Sequence, residues 1–117
     1  MPKDLVVSDT GPIISLEKLN DGYGFMRQLY NQVLVPPAVV EELCQGNFSS
    51  WEEYQVHYGL TDFVKVTNFE PSVNLPGLNI LDPGEREAIQ LAFQEKLPLL
   101  IEEEAGRGLA QALGIKI

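Results

Sequence analysis

The chain has little of what most protein metal centres and nucleic-acid surfaces are made from. It contains one cysteine, Cys44, and one histidine, His57. A single cysteine excludes an internal disulfide and argues for a reducing, cytoplasmic home. One cysteine and one histidine also argue against a zinc cluster. Cys44 reads as a small buried apolar residue. His57 sits among Tyr54, Tyr58 and Leu60 with no partner at ligand spacing, and reads as a surface or rim residue. Basic side chains are scarce too: 8 Lys and Arg stand against 17 Asp and Glu, for a formal charge of −9. That argues against sequence-independent wrapping of nucleic acid, which needs a positive surface. An enzyme acting on nucleic acid is still compatible with it, because carboxylates that hold a cation count as negative until the cation arrives. Simple solubility is the blander explanation of the same acidity. No apolar run approaches the length of a membrane span, and the N-terminus lacks the apolar stretch and cleavage site of a signal peptide. Repeats and low-complexity segments are absent. With 117 residues, a single domain over 1–117 with one core is expected.

The pattern that is present alternates short apolar runs with helical spacing. Leu5-Val6-Val7 reads as a buried first strand ending at Ser8-Asp9-Thr10. Pro12 suits the first turn of a helix carrying Ile13, Ile14, Leu16 and Leu19. After a turn at Asn20-Asp21-Gly22, helical spacing resumes at Phe25, Met26, Leu29 and Tyr30. Val33-Leu34-Val35 is a second strand, closed by Pro36-Pro37, and Ala38 to Cys44 a helix. A further helix carries Trp51, Tyr54 and Tyr58, and Phe63 to Val66 is a third strand. Asn68 to Leu81 reads as a long mobile loop. Asp82 then opens a helix through Lys96, Leu99-Leu100-Ile101 is a strand, Ala105 to Leu113 a helix, and Ile115-Lys116-Ile117 a last short strand. Such alternation predicts an α/β fold with a mostly parallel sheet and helices on both faces. Active sites in these sheets sit at the carboxyl ends of the strands.

Four acidic sites stand out, two following strands and two on the apolar faces of helices. Asp9 follows the first strand directly; a cap or turn role explains it equally well. Glu42 lies three residues after Val39 and so falls on the apolar side of its helix, while Glu41 points away. A carboxylate there is costly unless paired or metal-bound. Glu85 heads the apolar face formed by Ala88, Ile89 and Ala92, with Glu87 pointing nearly opposite, although Asp82-Pro83-Gly84-Glu85 also resembles a capping box. Glu102, Glu103 and Glu104 follow the strand Leu99-Leu100-Ile101, where acids also favour the start of the next helix. The coincidence of the four sites is what points to chemistry, and clustered carboxylates favour hard cations such as Mg²⁺ or Mn²⁺. Arg107 could meet a phosphate near such a site, or be a solvated helix residue.

In four stretches the chain resembles the PIN-domain family, which includes the toxin ribonucleases of VapC-type toxin–antitoxin pairs; the likeness is to a PIN-like subgroup of bacteria and archaea. The stretches are Val6 to Leu16, Val33 to Leu43, Leu81 to Ile89 and Leu100 to Arg107, in family order and across most of the chain. The resemblance implies a three-layer α/β/α fold and Mg²⁺- or Mn²⁺-dependent cleavage of RNA. By position it implies Asp9, Glu42, Glu85 and Glu103 as catalytic acids and metal ligands, Glu102 as a further ligand, and Thr10 as the hydroxyl residue beside the first acid. It also implies a protein antitoxin and leaves room for a homodimer. Two features depart from the family pattern. Glu102 and Glu103 stand where the subgroup has aspartates, and Mg²⁺ demands tight octahedral geometry. The family usually continues past the point where this chain reaches Ile117, so the C-terminal part is expected to be short.

The departures keep a second reading open, a catalytically inactive PIN-like module that binds a protein. A third rests on Asp9-Thr10-Gly11, the Asp-Thr-Gly signature of aspartic proteases. Those enzymes are all-β, and the helix expected from Asp82 to Lys96 rejects it.

Overall fold

In the computed structural model, which describes residues 4–19, 22–45, 47–68, 70, 75 and 77–117, the fold is built outward from one strand that is apolar on both faces. This is β1 (Asp4–Ser8), where Val6 and Val7 are both fully buried and point to opposite layers. It is flanked by β2 (Tyr30–Val35) and β4 (Leu99–Leu100), with β3 (Val64–Val66) beyond β2. The order is β3-β2-β1-β4 and every pairing is parallel. Val6 lies opposite Val33, and Val7 lies between Leu34 and Leu99. The chain therefore steps outward from β1 through β2 to β3, then returns to add β4 on the other side. That reversal is a topological switch point, with its crevice between the carboxyl ends of β1 and β4.

Among the described residues, six helices complete the layers. On one face, α1 (Thr10–Glu17), α2 (Gly22–Leu29), α3 (Pro37–Cys44) and α4 (Trp51–Tyr58) pack Ile13, Met26, Val39, Leu43 and Tyr54 against Val6, Val33 and Val35. On the other, α5 (Pro83–Glu95) and α6 (Glu104–Ala112) pack Ala88, Ile89, Ala92 and Ala110 against Val7 and Leu99. Full burial of a side chain such as Ile89 or Leu99 contributes roughly 1.5–3 kcal/mol. The result is the three-layer α/β/α arrangement that the alternation predicted. Proline starts both α3 and α5, where a missing N–H is harmless.

Three local expectations shift. Tyr30 heads β2 and does not close the preceding helix. Ile115 to Ile117 form no strand: the contact with the sheet is the Leu99 amide donating to Lys116 O at 2.8 Å, and the neighbouring Pro98 has no N–H to extend a ladder. In the stretch from Asn68 to Leu81, residues 69, 71–74 and 76 lie outside the described residues, as do Asn20 and Asp21 of the earlier turn. Leu75, Leu78 and Leu81 are buried against the α5–α6 layer, with a 3₁₀ turn at Leu78–Ile80. Three leucines anchor that part of the loop to the core.

Candidate functional site

Asp9 sits at the first position beyond β1, and its amide donates to Leu100 O at 3.0 Å, which ties the end of β1 to the end of β4 at the switch point. It is the N-cap residue of α1 but makes no capping bond. Its side chain is 5% exposed, and the buried Oδ1 has no hydrogen-bond partner. Burial raises its pKa most, the Thr10 amide works against it, and the negative charges of Asp82, Glu42 and Glu103 raise it further, to about 6.

Glu42 reaches the same place from α3. Its Oε2 accepts from Thr10 Oγ1 at 2.7 Å and its Oε1 from the Gly84 amide at 3.1 Å. The first bond joins α3 to the start of α1, the second to the start of α5. This is how a carboxylate on a core-facing stripe is accommodated: both oxygens have donors. Gly84 permits the approach, because a Cβ there would collide with the Glu42 carboxylate. The α3–α5 pair is held reciprocally. Pro36 gives α3 no side-chain cap, and Glu87 of α5 supplies one by accepting from the Ala38 amide at 3.0 Å. Glu41 is exposed, as its phase predicts.

Glu85 is 7% exposed at the head of α5. Its carboxyl is pushed up to about 7, first by burial, then by a hydrogen bond with the Asp82 carboxylate and by the charges of Asp82, Asp9 and Glu103. The capping signature in the sequence is real, since Asp82 Oδ1 accepts from the Glu85 amide at 2.9 Å. What the sequence reading missed is that the cap itself joins the acidic cluster. Asp82 is the leading charge acting on both Asp9 and Glu85. The available signal was the spacing that had already been assigned to capping alone.

The acids after β4 divide. Glu103, the N-cap residue of α6, acts on both Asp9 and Glu85. Glu102 turns to α1, where Ser15 Oγ donates to its Oε2 at 2.9 Å and its carboxylate lies against Gly11. Arg107 reaches back so that Nη1 donates to Ile101 O at 3.3 Å. Ser8 is fully buried and donates to the backbone carbonyl of Asp9, not to a carboxylate. His57 is exposed and packs edge-on to Phe48 and Tyr58, and Cys44 lies half-buried against the core.

Asp82 and Glu103 thus bear on both Asp9 and Glu85, Glu42 bears on Asp9, and one oxygen of Asp9 meets no donor. Among the described residues, no three Asp, Glu, His or Cys side chains already converge as a finished metal cage. The donor set nonetheless fits a hard cation: it is all oxygen, and it includes the buried, unpartnered Asp9 Oδ1. The described residues also contain no helix long and apolar enough to cross a membrane.

The solved structures include a similar fold, a PilT N-terminus domain protein from the hyperthermophilic archaeon Sulfolobus solfataricus. It is 20% identical, with a TM-score of 0.64 over 96% of this chain and 83% of that one. No curated protein matches the sequence. A family model described as a PIN domain matches residues 5–117. Spanning nearly the whole chain, that match agrees with the fold and the motifs: the chain belongs to the PIN-domain family, whose members are generally nucleases.

Proposed function

We propose that this protein is a divalent-metal-dependent endoribonuclease, a single PIN-like domain in which Asp9, Glu42, Glu85 and Glu103 form the acidic site. The observation that carries the reading is Asp9 Oδ1, buried and without a partner at the carboxyl end of β1 while other carboxylates press on it. A buried acceptor left bare among like charges is costly, and a cation removes the cost.

Bound Mg²⁺ or Mn²⁺ would supply charge neutralisation at the phosphate and a water acidified towards neutral pH. The chain's own residues set the stage for it. Asp9 and Glu103 offer carboxylate oxygens at the ends of adjacent strands. Thr10 and the Gly84 amide fix the Glu42 carboxylate in one orientation. Glu85, its carboxyl pushed up to about 7, would have to be ionised to hold a cation. In the reaction, the oxygen of a water bonds to phosphorus in line with the 3′ oxygen. The P–O3′ bond breaks, the water's proton passes to a carboxylate, and the departing oxygen takes up a proton.

The likeness of the four motif stretches to VapC-type toxins supports a place as the toxin of a toxin–antitoxin pair in the cytoplasm. A basic side chain of an antitoxin would then compete with the cation in the acidic cleft. The test is Mn²⁺ calorimetry together with RNA cleavage for wild type and Asp9→Asn. Binding and cleavage in wild type that vanish in the variant support the nuclease. A wild type that binds no Mn²⁺ at millimolar concentration favours the inactive, protein-binding alternative.

A further inference from the structure

Helices α3 and α5 begin in the same way and are joined by two hydrogen bonds that run in opposite directions. Pro37 and Pro83 take the first helical positions, and the next amide, an orphan donor in any helix, is met in each case by a glutamate of the other helix. Glu42 of α3 accepts from the Gly84 amide at 3.1 Å, and Glu87 of α5 accepts from the Ala38 amide at 3.0 Å. The spacing is matched. Ala38 and Glu42 are four residues apart, Gly84 and Glu87 three, so each pair lies about one turn apart on a single face. One such bond would leave α3 free to pivot about the contact. Two bonds a turn apart fix both the separation of the helices and the rotation of α3 about its axis. The helices also meet closely, since a Cβ on Gly84 would collide with the Glu42 carboxylate.

The two glutamates serve different ends. Glu42 points into the acidic site, where Thr10 Oγ1 holds its other oxygen at 2.7 Å. Glu87 is half-buried, turned nearly opposite to Glu85 on α5, and occupied by the Ala38 amide. Resting on the metal-dependent reading above, we propose that Glu87 is a positioning residue for that site: by holding the Ala38 amide it sets the rotation of α3, and so presents the Glu42 carboxylate to a divalent cation. Glu87 itself touches neither cation nor substrate. It acts as the outer partner of a ligand does, by fixing the frame from which the ligand reaches.

Three variants separate this role from charge and from stability. Glu87→Ala removes the acceptor and the charge. Glu87→Gln removes the charge alone, because its amide oxygen can still accept from Ala38. Ser50→Ala removes a comparable cap from α4, where Ser50 Oγ accepts from the Glu53 amide at 3.1 Å, and reports the effect of lost stability. On the full chain, Mn²⁺ affinity is measured by calorimetry and cation-free stability by urea unfolding. Glu87→Ala should bind Mn²⁺ on the order of tenfold more weakly than wild type. Glu87→Gln should stay within about twofold, the effect of a screened charge outside the site, and Ser50→Ala should bind as wild type does. Wild-type affinity in Glu87→Ala overturns the proposal and leaves Glu87 as a cap of α3, with the metal-dependent reading untouched. An equal loss in Glu87→Gln overturns it in favour of charge, and an equal loss in Ser50→Ala in favour of stability. A wild type that binds no Mn²⁺ overturns both the proposal and the reading it rests on. If Glu87→Ala does not fold, Glu87→Leu repeats the comparison with the stem's packing kept and no acceptor, and a second loss of fold assigns Glu87 to structure and overturns the proposal.

Discussion

Helix α1 carries a polar cluster at each end, and the two are opposites. At its C-terminal end Glu17 accepts a hydrogen bond from Tyr54 Oη. Tyr23 Oη lies 3.5 Å from that hydroxyl and 3.4 Å from Ile13 O, to which it donates. Phe48, Trp51 and Tyr58 close round Tyr54, which is 1% exposed. Burial, and then the bond to Glu17, hold the Tyr54 hydroxyl well above the usual phenol range, so it stays a donor. Donor meets acceptor throughout. At the N-terminal end, Asp9 meets Glu42, Asp82 and Glu103, all acceptors when ionised, and one of its own oxygens meets nothing. A buried acid is structural where donors match acceptors. Where acceptors are in surplus, the missing partner is positive and comes from outside the chain.

The largest effect should come from Asp9→Asn. RNA cleavage should fall on the order of 10³-fold, as expected when a group serving the transition state is removed, while cation-free thermal stability holds or rises because repulsion is relieved. A variant that unfolds would erase the contrast between the two ends. Tyr54→Phe should do the reverse. Deprived of its hydroxyl donor, Glu17 should cost the fold about 1–3 kcal/mol in urea unfolding, with Mn²⁺ affinity unchanged.

The third prediction concerns pH. The folded-state pKa values of Asp9 and Glu85 are raised, to about 6 and about 7, from ordinary values of 3.8 and 4.5. The native state therefore holds more protons than the unfolded chain between roughly pH 4 and pH 7. The stability that these protonated acids provide is present below pH 4 and lost as pH rises through about 7. Thermal unfolding of the cation-free protein at pH 5 and pH 8 should show the decline. Millimolar Mn²⁺ should flatten it. The smallest effect sharpens the packing argument: Glu87→Ala strips the cap from Ala38 and should cost about 1 kcal/mol, seen as a shifted urea midpoint with an unchanged slope.

The alternation of strands and helices was legible because β1 is apolar on both faces and because prolines mark the starts of α3 and α5. Helix phase was legible too: it placed Glu42 inward, where it bonds to Thr10, and Glu41 outward, where it is exposed. Phase could not say what meets Glu42, because Thr10 and Gly84 are 32 and 42 residues away. The division of labour between Glu102 and Glu103 was equally hidden. The two are adjacent in a strand-to-helix turn, and only the position of Ser15 on α1 decides which of them turns aside. Asp82 was visible as a cap, and a residue with one sufficient explanation gave no reason to seek a second. Tyr30 followed its β-prone side chain into β2, since tertiary pairing outweighs the helical spacing before it.

Gly11, Gly84 and Gly106 each lie beneath a carboxylate, that of Glu102, Glu42 and Glu85 respectively. A methyl group at Gly11 would meet the far end of Glu102, and one at Gly106 would fall 2.8 Å from Glu85 Oε2 and 2.6 Å from Ile101 Cδ1. Carboxylate ends can swing away, so alanine at Gly84 would leave the architecture standing and move Glu42. Such a substitution would pass every assay of folding and behave in a screen like the loss of an active-site acid, at a position that bears no functional group. In a survey of tolerated substitutions, these blank positions would stand out beside the acids they support.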